Sequence, residues 1–421
     1  MKKLMFIFGL GVMALSTQAQ TSLKEIEENP DKAAGNYLAY PTPTAKLTPA
    51  PEGYTPFYIS HYGRHGSRYM LTSGDAKEPY EILDMADAKG KLTKLGQQVK
   101  SELQRVKEIM DKRAGELTPL GHQQHKEIAK RMFNNYPTVF ADSANIDAKS
   151  TTVVRCVLSM GSFCQELKSL NPKLKITNDA SEHDMYYMCK GQDNAHKAPD
   201  SEVKWKKKHE AFCDSLSQPE RLMSILFTDK NYLDRKRAGK LSRQLFNVAC
   251  DLQDMPDIDF DLWGIFTPQE IFDTWQSQNA YWYGFAGLSP IQDGNASKVA
   301  KNLLNDILTK ADAAIATGKP CATLRFGHDT GILPLIALMN LNNNSDVKVN
   351  DLKDLYKYWT DFKLIPMAAN VQFIFYKNNK NDILLKVLMN EEEVKLPFES
   401  MAGPYYEWSK FKDYYQAVQQ K

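Results

Sequence analysis

Apolar and β-branched residues collect into short runs at Thr55–Ser60, Asn145–Ser150, Ala322–Phe326, Asn370–Tyr376 and Ile383–Met389. Each reads as a strand. The last two alternate and are separated by "KNNKND", a turn-rich link that predicts a hairpin. Between these ends the period changes. Apolar positions recur at helical spacing over about 90–135, 152–169 and much of 201–310. Strands at both ends and a helical middle predict an α/β fold. The expected form is a central mostly parallel sheet flanked by helices, with an inserted mainly α-helical lid domain. The expected division is residues 20–165 and 300–421 for the discontinuous α/β domain and 166–299 for the insertion. The Thr/Pro-rich stretch at 40–54 reads as an extended lead-in.

The first nineteen residues carry two lysines, an apolar run from Leu4 to Leu15, and then small and polar residues. That is the pattern of a secretory signal, with cleavage expected after Ala19, and the run is too short for a comfortable membrane span. The expected location is therefore exported, periplasmic or extracellular. The chain has 53 basic and 51 acidic residues. Losing Lys2 and Lys3 with the signal leaves the two in balance, so nothing steers a nucleic acid globally and any anion must be held locally. Cys156, Cys164, Cys189, Cys213, Cys250 and Cys321 are scattered, with no CxxC pair to mark a structural zinc site. Their spacing leaves the disulfide pairing open, and nothing in the sequence fixes an oligomeric state.

Three of the strand-like runs end in charge. "HYGRHGSR" follows Ser60, "TTVVR" follows Ser150, and "GHDTG" follows Phe326. Ligands of open α/β sheets bind beyond the carboxyl ends of strands. If these strands are neighbours, Arg64, His65, Arg68, Arg155, His328 and Asp329 converge. Gly63, Gly66 and Gly327 are then expected to let the backbone approach a ligand. Guanidinium forks match phosphate. A histidine among three arginines stays neutral and nucleophilic, and Asp329 can protonate a leaving alkoxide and later activate water. This chemistry calls for no metal or other cofactor. His61 with His65 and His122 with His125 are the alternative metal pairs, but no acidic third ligand stands near. The basic run at 204–209 is most simply a solvated helix face. Its functional reading makes Lys204, Lys206, Lys207 and Lys208 contacts for further phosphates of a polyphosphorylated small molecule.

"RHGSR" resembles the signature of the histidine phosphatase superfamily, and "GHDTG" resembles the His-Asp motif of its acid phosphatase and phytase branch. "LRFGHDTGILPLIALMNL", "IPMAANVQFIFY" and "VLMNEEEVKLPF" resemble multiple inositol polyphosphate phosphatases. The resemblance covers most of residues 55–400. It implies His65 as nucleophile, Arg64, Arg68 and Arg155 as phosphate ligands, His328 as an aid to the transition state, and Asp329 as proton donor. It further implies a phosphomonoesterase acting on inositol hexakisphosphate and lower inositol phosphates. The rivals are a broad or sugar-phosphate acid phosphatase and, from another class, a non-catalytic phosphate-binding protein. This chain has His328-Asp329-Thr330 where the inositol polyphosphate group often has His-Ala-Glu, which displaces the acid by one residue. Arg68-Tyr69-Met70 also stands where the family has arginine-x-proline, so the proline is missing.

Overall fold

The computed structural model describes residues 22–188, 200–292 and 300–420. The expected export signal and Cys189 lie outside the described residues. Eight strands form one sheet in the order β3-β2-β4-β1-β5-β6-β7, with β8 also paired to β6. They are β1 (Thr55–Arg64), β2 (Asn145–Ser150), β3 (Lys175–Asp179), β4 (Ala322–Gly327), β5 (Asn370–Lys377), β6 (Ile383–Met389), β7 (Glu392–Glu393) and β8 (Tyr406–Glu407). β3, β2, β4 and β1 run parallel. β5 turns back against β1, and the predicted β5–β6 hairpin follows it.

The longer helices are α1 (Gly74–Asp87), α2 (Lys94–Arg113), α3 (Pro119–Asn135), α4 (Val154–Leu170), α5 (Asp200–Leu216), α6 (Arg235–Leu252), α7 (Pro268–Phe285), α8 (Lys301–Thr317), α9 (Asp329–Met339) and α10 (Trp408–Gln420). Alternation along the strands assigns their side chains to opposite faces. Ile59, Leu324 and Ile374 face α3 and α4 through Ile128, Met132, Phe163 and Leu167. Tyr58, Tyr62, Phe373 and Phe375 face α8, α9 and α10 through Leu304, Ile307, Ile332 and Phe411. A third core joins Leu103 and Val106 of α2 to Leu241 and Leu245 of α6 and Trp275 of α7.

Three features differ from the sequence expectation. β1 continues past Ser60 to Arg64 and is buried throughout that polar stretch, because ladders on both sides hold its backbone. β3, inside the span assigned to the helical insertion, pairs with β2 along the sheet edge. The helical mass also draws on α1 and α2, which pack with α6 in the third core. Pro41–Ala50 has no regular structure, and Thr48 ties it to Glu393 through its backbone N–H at 2.6 Å and its hydroxyl at 2.8 Å.

Candidate active site

The parallel half of the sheet brings the three charged segments together. Arg64 pairs with Gly327 across β1 and β4, and Ser150 pairs with Phe326 across β2 and β4. The chain after each strand then starts from one edge. The His65 amide donates to the Gly327 carbonyl at 2.9 Å, and the Thr151 amide donates to Phe326 at 3.0 Å. His328 is the N-cap of α9, and Arg155 is the second residue of α4. Both helix N-termini favour negative charge.

His65 is 3 % exposed. Its Nδ1 lies 2.9 Å from the Gly66 carbonyl. A carbonyl can only accept, so Nδ1 carries the proton and Nε2 keeps the lone pair. Burial first, then Arg64, Arg155, Arg68 and His328, hold the imidazole pKa well below the ordinary histidine value. His65 is therefore held in its neutral form near pH 7. The His328 ring meets it edge-on at 5.7 Å between centroids. Burial and Arg155 press His328 down to about 4 against the pull of Asp329, and its Nε2 lies 3.2 Å from the Thr151 hydroxyl.

The guanidiniums differ in their attachments. Arg64 donates to the carbonyls of Asn36 and Ile365 and pairs with Asp329 Oδ2 at 2.9 Å. Arg68 lies 3.7 Å from Asp251 and stacks over the Tyr37 ring at 4.8 Å. Arg155 is half-buried and has no carboxylate partner among the described residues, and its Nε has no acceptor. It is the cation best placed to receive an incoming anion. Burial works against ionisation of Asp329, but the Arg64 guanidinium, the Asn36 amide and His328 overcome it and keep the carboxyl below its usual range.

The glycines act differently from the expectation. A Cβ on Gly66 would come 2.5 Å from the Gly121 carbonyl at the start of α3, and one on Gly327 would come 2.3 Å from the Tyr62 hydroxyl. The space beside each is filled by protein, backbone at Gly66 and the Tyr62 side chain at Gly327. Histidines of the alternative metal pairs have other neighbours. The His61 and His125 rings both pack at an angle against Phe163 and Phe326 in the core. His122 instead meets the Ser162 hydroxyl at 2.6 Å. Lys204, Lys206 and Lys207 are exposed on α5, while Lys208 donates to the Asn350 carbonyl. None of the four bonds to the cluster among the described residues. Four of the scattered cysteines, Cys164, Cys213, Cys250 and Cys321, form no disulfide.

Several residues at the site escaped the sequence reading. Asn36 and Tyr37 arrive from a 3₁₀ segment, Pro30–Tyr37. Behind the loop, the Ser67 hydroxyl donates to Asp254 at 2.5 Å and accepts from Gln124 at 2.8 Å. No motif marks any of these, and only the signature beside them draws notice to the region.

A neutral imidazole, three guanidiniums and a carboxyl at one sheet edge are the equipment of a phosphoric monoester hydrolase. The model of the histidine phosphatase superfamily (branch 2) matches residues 63–390, and the chain belongs to that family. It is 21% identical over 386 residues to multiple inositol polyphosphate phosphatase 1 of Gallus gallus, covering 83% of this chain and 79% of that protein. The fold is similar to that of the Bifidobacterium longum multiple inositol polyphosphate phosphatase in complex with inositol hexasulfate. The TM-score is 0.73 at 19% identity, with 90% of this chain and 97% of that one covered. The phytase from D. castellii follows at a TM-score of 0.66 and 15% identity, covering 92% and 85%.

Proposed function

We propose that this enzyme is an exported histidine acid phosphatase that removes phosphate from inositol hexakisphosphate and lower inositol phosphates through a phosphohistidine at His65. The observation that carries the reading is the fixed tautomer of His65 beside three arginines. Nε2 attacks phosphorus, and the bond from phosphorus to the inositol oxygen breaks. The departing oxygen takes a proton from Asp329. Water then gives a proton back to Asp329 and attacks the phosphohistidine, releasing phosphate and neutral His65. Arg64, Arg68 and Arg155 bind the phosphoryl oxygens, and His328 supports their growing charge.

In the resting protein Asp329 is ionised against Arg64. A phosphate that engages Arg64 exchanges a cation for an anion beside the carboxyl, which favours its protonated form. Substrate charge thereby loads the donor. Lys204, Lys206, Lys207 and the flanking residues of α5 form a basic rim for the remaining phosphates, and residues 166–299 serve mainly as a helical lid. The names of the relatives and the inositol hexasulfate complex of the B. longum enzyme support the inositol substrate class. The N-terminal pattern supports export, and no described helix is long and apolar enough to cross a membrane.

The test is a comparison of product release from inositol hexakisphosphate, a sugar phosphate and an aryl phosphate, with acid quenching of labelled substrate during turnover. The expected result is label on His65 and stepwise loss of phosphate from the inositol. Turnover with no label on His65 in a rapid-quench time course would exclude the covalent route. A preference for the sugar phosphate would leave the mechanism and reject the substrate.

A further inference from the structure

The 3₁₀ segment Pro30–Tyr37 and the two residues after it form a strap that enters the site where no motif predicts it. Asn36 is 4 % exposed and sits 293 positions from Asp329 in the chain. Its Nδ2 donates to Asp329 Oδ2 at 3.1 Å, the oxygen that also takes Arg64 Nη2 at 2.9 Å. The other carboxylate oxygen accepts from the Thr330 amide at 2.8 Å. The backbone carbonyl of Asn36 accepts from the second arm of Arg64. One residue therefore addresses both members of the ion pair, the acid through its side chain and the arginine through its backbone. We propose that Asn36 is a positioning residue for the proton donor, fixing the Asp329 carboxyl and setting the pH at which it takes up its proton.

The strap is held rigidly enough for that task. Gly35 lies at φ 60, and a Cβ there would come 2.3 Å from Asp361 Oδ2. The Met367 amide donates to the Leu38 carbonyl at 2.8 Å, and the Ala39 amide donates to Gln253 Oε1 at 2.9 Å. Trp263 Nε1 binds Asp31 Oδ1 at 2.8 Å. The segment is thus tied to the helical mass through Gln253 and Trp263 and to the α/β part through Met367.

The ionisable groups that bear on Asp329 are Arg64 and Arg68 from β1 and its loop, Arg155 from α4, and His328 from its own cap. Tyr37 of the strap and Tyr281 of α7 also feel the Asp329 charge. Asn36 is the neutral side-chain donor beside them. Every donor to a carboxylate favours its charged form, and a proton donor must shed that preference before it can act. Asn36 thus trades some readiness to donate for a fixed orientation.

The inference rests on the proposed role of Asp329, and the experiment separates the two. Asn36→Ala removes the amide but leaves the backbone carbonyl on Arg64, so the KM for inositol hexakisphosphate should change little. Asn36→Asp keeps the shape and adds a like charge. The alkaline limb of kcat should move up by roughly half to one pH unit in the first variant and further in the second. In parallel, ¹³C NMR of labelled aspartate, with the Asp329 signal assigned through Asp329→Asn, reads the carboxyl directly. Its midpoint should rise in the same order. An unmoved midpoint in variants that melt like the parent would reduce Asn36 to a structural residue and overturn the proposal. If the parent releases phosphate from nothing, the reading of function fails, and the NMR arm still decides the role of Asn36. If the alanine variant does not fold, the isosteric aspartate carries the same test.

Discussion

Asp329→Asn separates protonation of the leaving group from the rest of catalysis. The amide keeps an oxygen able to accept from Arg64, which also holds two backbone carbonyls, so the fold should survive. What disappears is the transferable proton and one negative charge. An inositol alkoxide cannot depart unprotonated, and its phosphoryl transfer should slow by about 10²–10⁴-fold. A p-nitrophenolate departs unaided, so its first step should slow far less. The lost charge acts in the opposite sense on binding. A unit charge at about 4 Å is worth roughly 4 kcal/mol at a near-surface dielectric, and the anion and Asp329 compete for the same guanidinium. Inorganic phosphate should therefore bind the variant more tightly than the parent. Rapid-quench single turnover on both substrates isolates the first step, and calorimetry with phosphate reads the second effect. Equal slowing on both leaving groups would show that Asp329 orients or binds, and the proton would have to come from another group.

His65→Ala should abolish turnover while phosphate still binds, since every arginine remains; activity within tenfold of the parent would refute the nucleophile. Excess chelator should leave the rate unchanged, because the charge is met by guanidinium groups; a loss restored by zinc or magnesium would contradict this. Gly66→Ala should cost about 1–3 kcal/mol or more of stability in urea melts, because its Cβ meets the Gly121 backbone at 2.5 Å. An unchanged midpoint would mean that the loop and α3 can separate without cost.

The strands that carry the site were legible because each is a short run with β-prone or alternating apolar positions, Ile146 and Ala148 in β2 among them, and each ends in charge. Arg64, His65 and Arg68 share one loop, and the parallel order of β2, β4 and β1 brings Arg155, His328 and Asp329 to it. β3 was not legible. "KITND" has one apolar residue, and its strand character comes from an open sheet edge rather than from its own pattern. Asn36 was invisible for a similar reason, since an asparagine in a short 3₁₀ turn gains meaning only from the Arg64–Asp329 pair it reaches. The glycines show a further limit. Sequence reveals that a side chain is absent, and only packing reveals whether a ligand or the α3 backbone uses the space.

The buried ionisable groups make one more prediction, about acid tolerance. His61 and His125 are pressed by burial to about 3 and His328 to about 4, and His65 is held well below the ordinary value. As pH falls through 6.5, the unfolded chain protonates these four histidines and the folded one does not, so each loses stability at about 1.4 kcal/mol per pH unit. Three buried acids act in the reverse sense. Burial raises Asp251 to about 6 and Asp361 to about 7, and raises Asp254 well above the ordinary value. In the folded state they take up protons before their unfolded counterparts do, so stability rises as pH falls toward 3.8. Between about 4.5 and 6 the two sets act against each other, so the acids soften the loss that the histidines cause. Below that window Asp329, Asp184, Glu270 and Glu393, all lowered by their partners, should add a steep loss. Asp361→Asn removes one compensating acid. Its urea-denaturation free energy should fall more steeply than that of the parent between pH 6 and 4.5, by about 1.4 kcal/mol per unit. At pH 8 the variant should be at least as stable, because a neutral amide replaces a charge with one unpartnered oxygen beside Gly35. Parallel slopes would mean that Asp361 is ionised in the folded protein throughout, and the balance that suits this fold to acid would have to come from elsewhere.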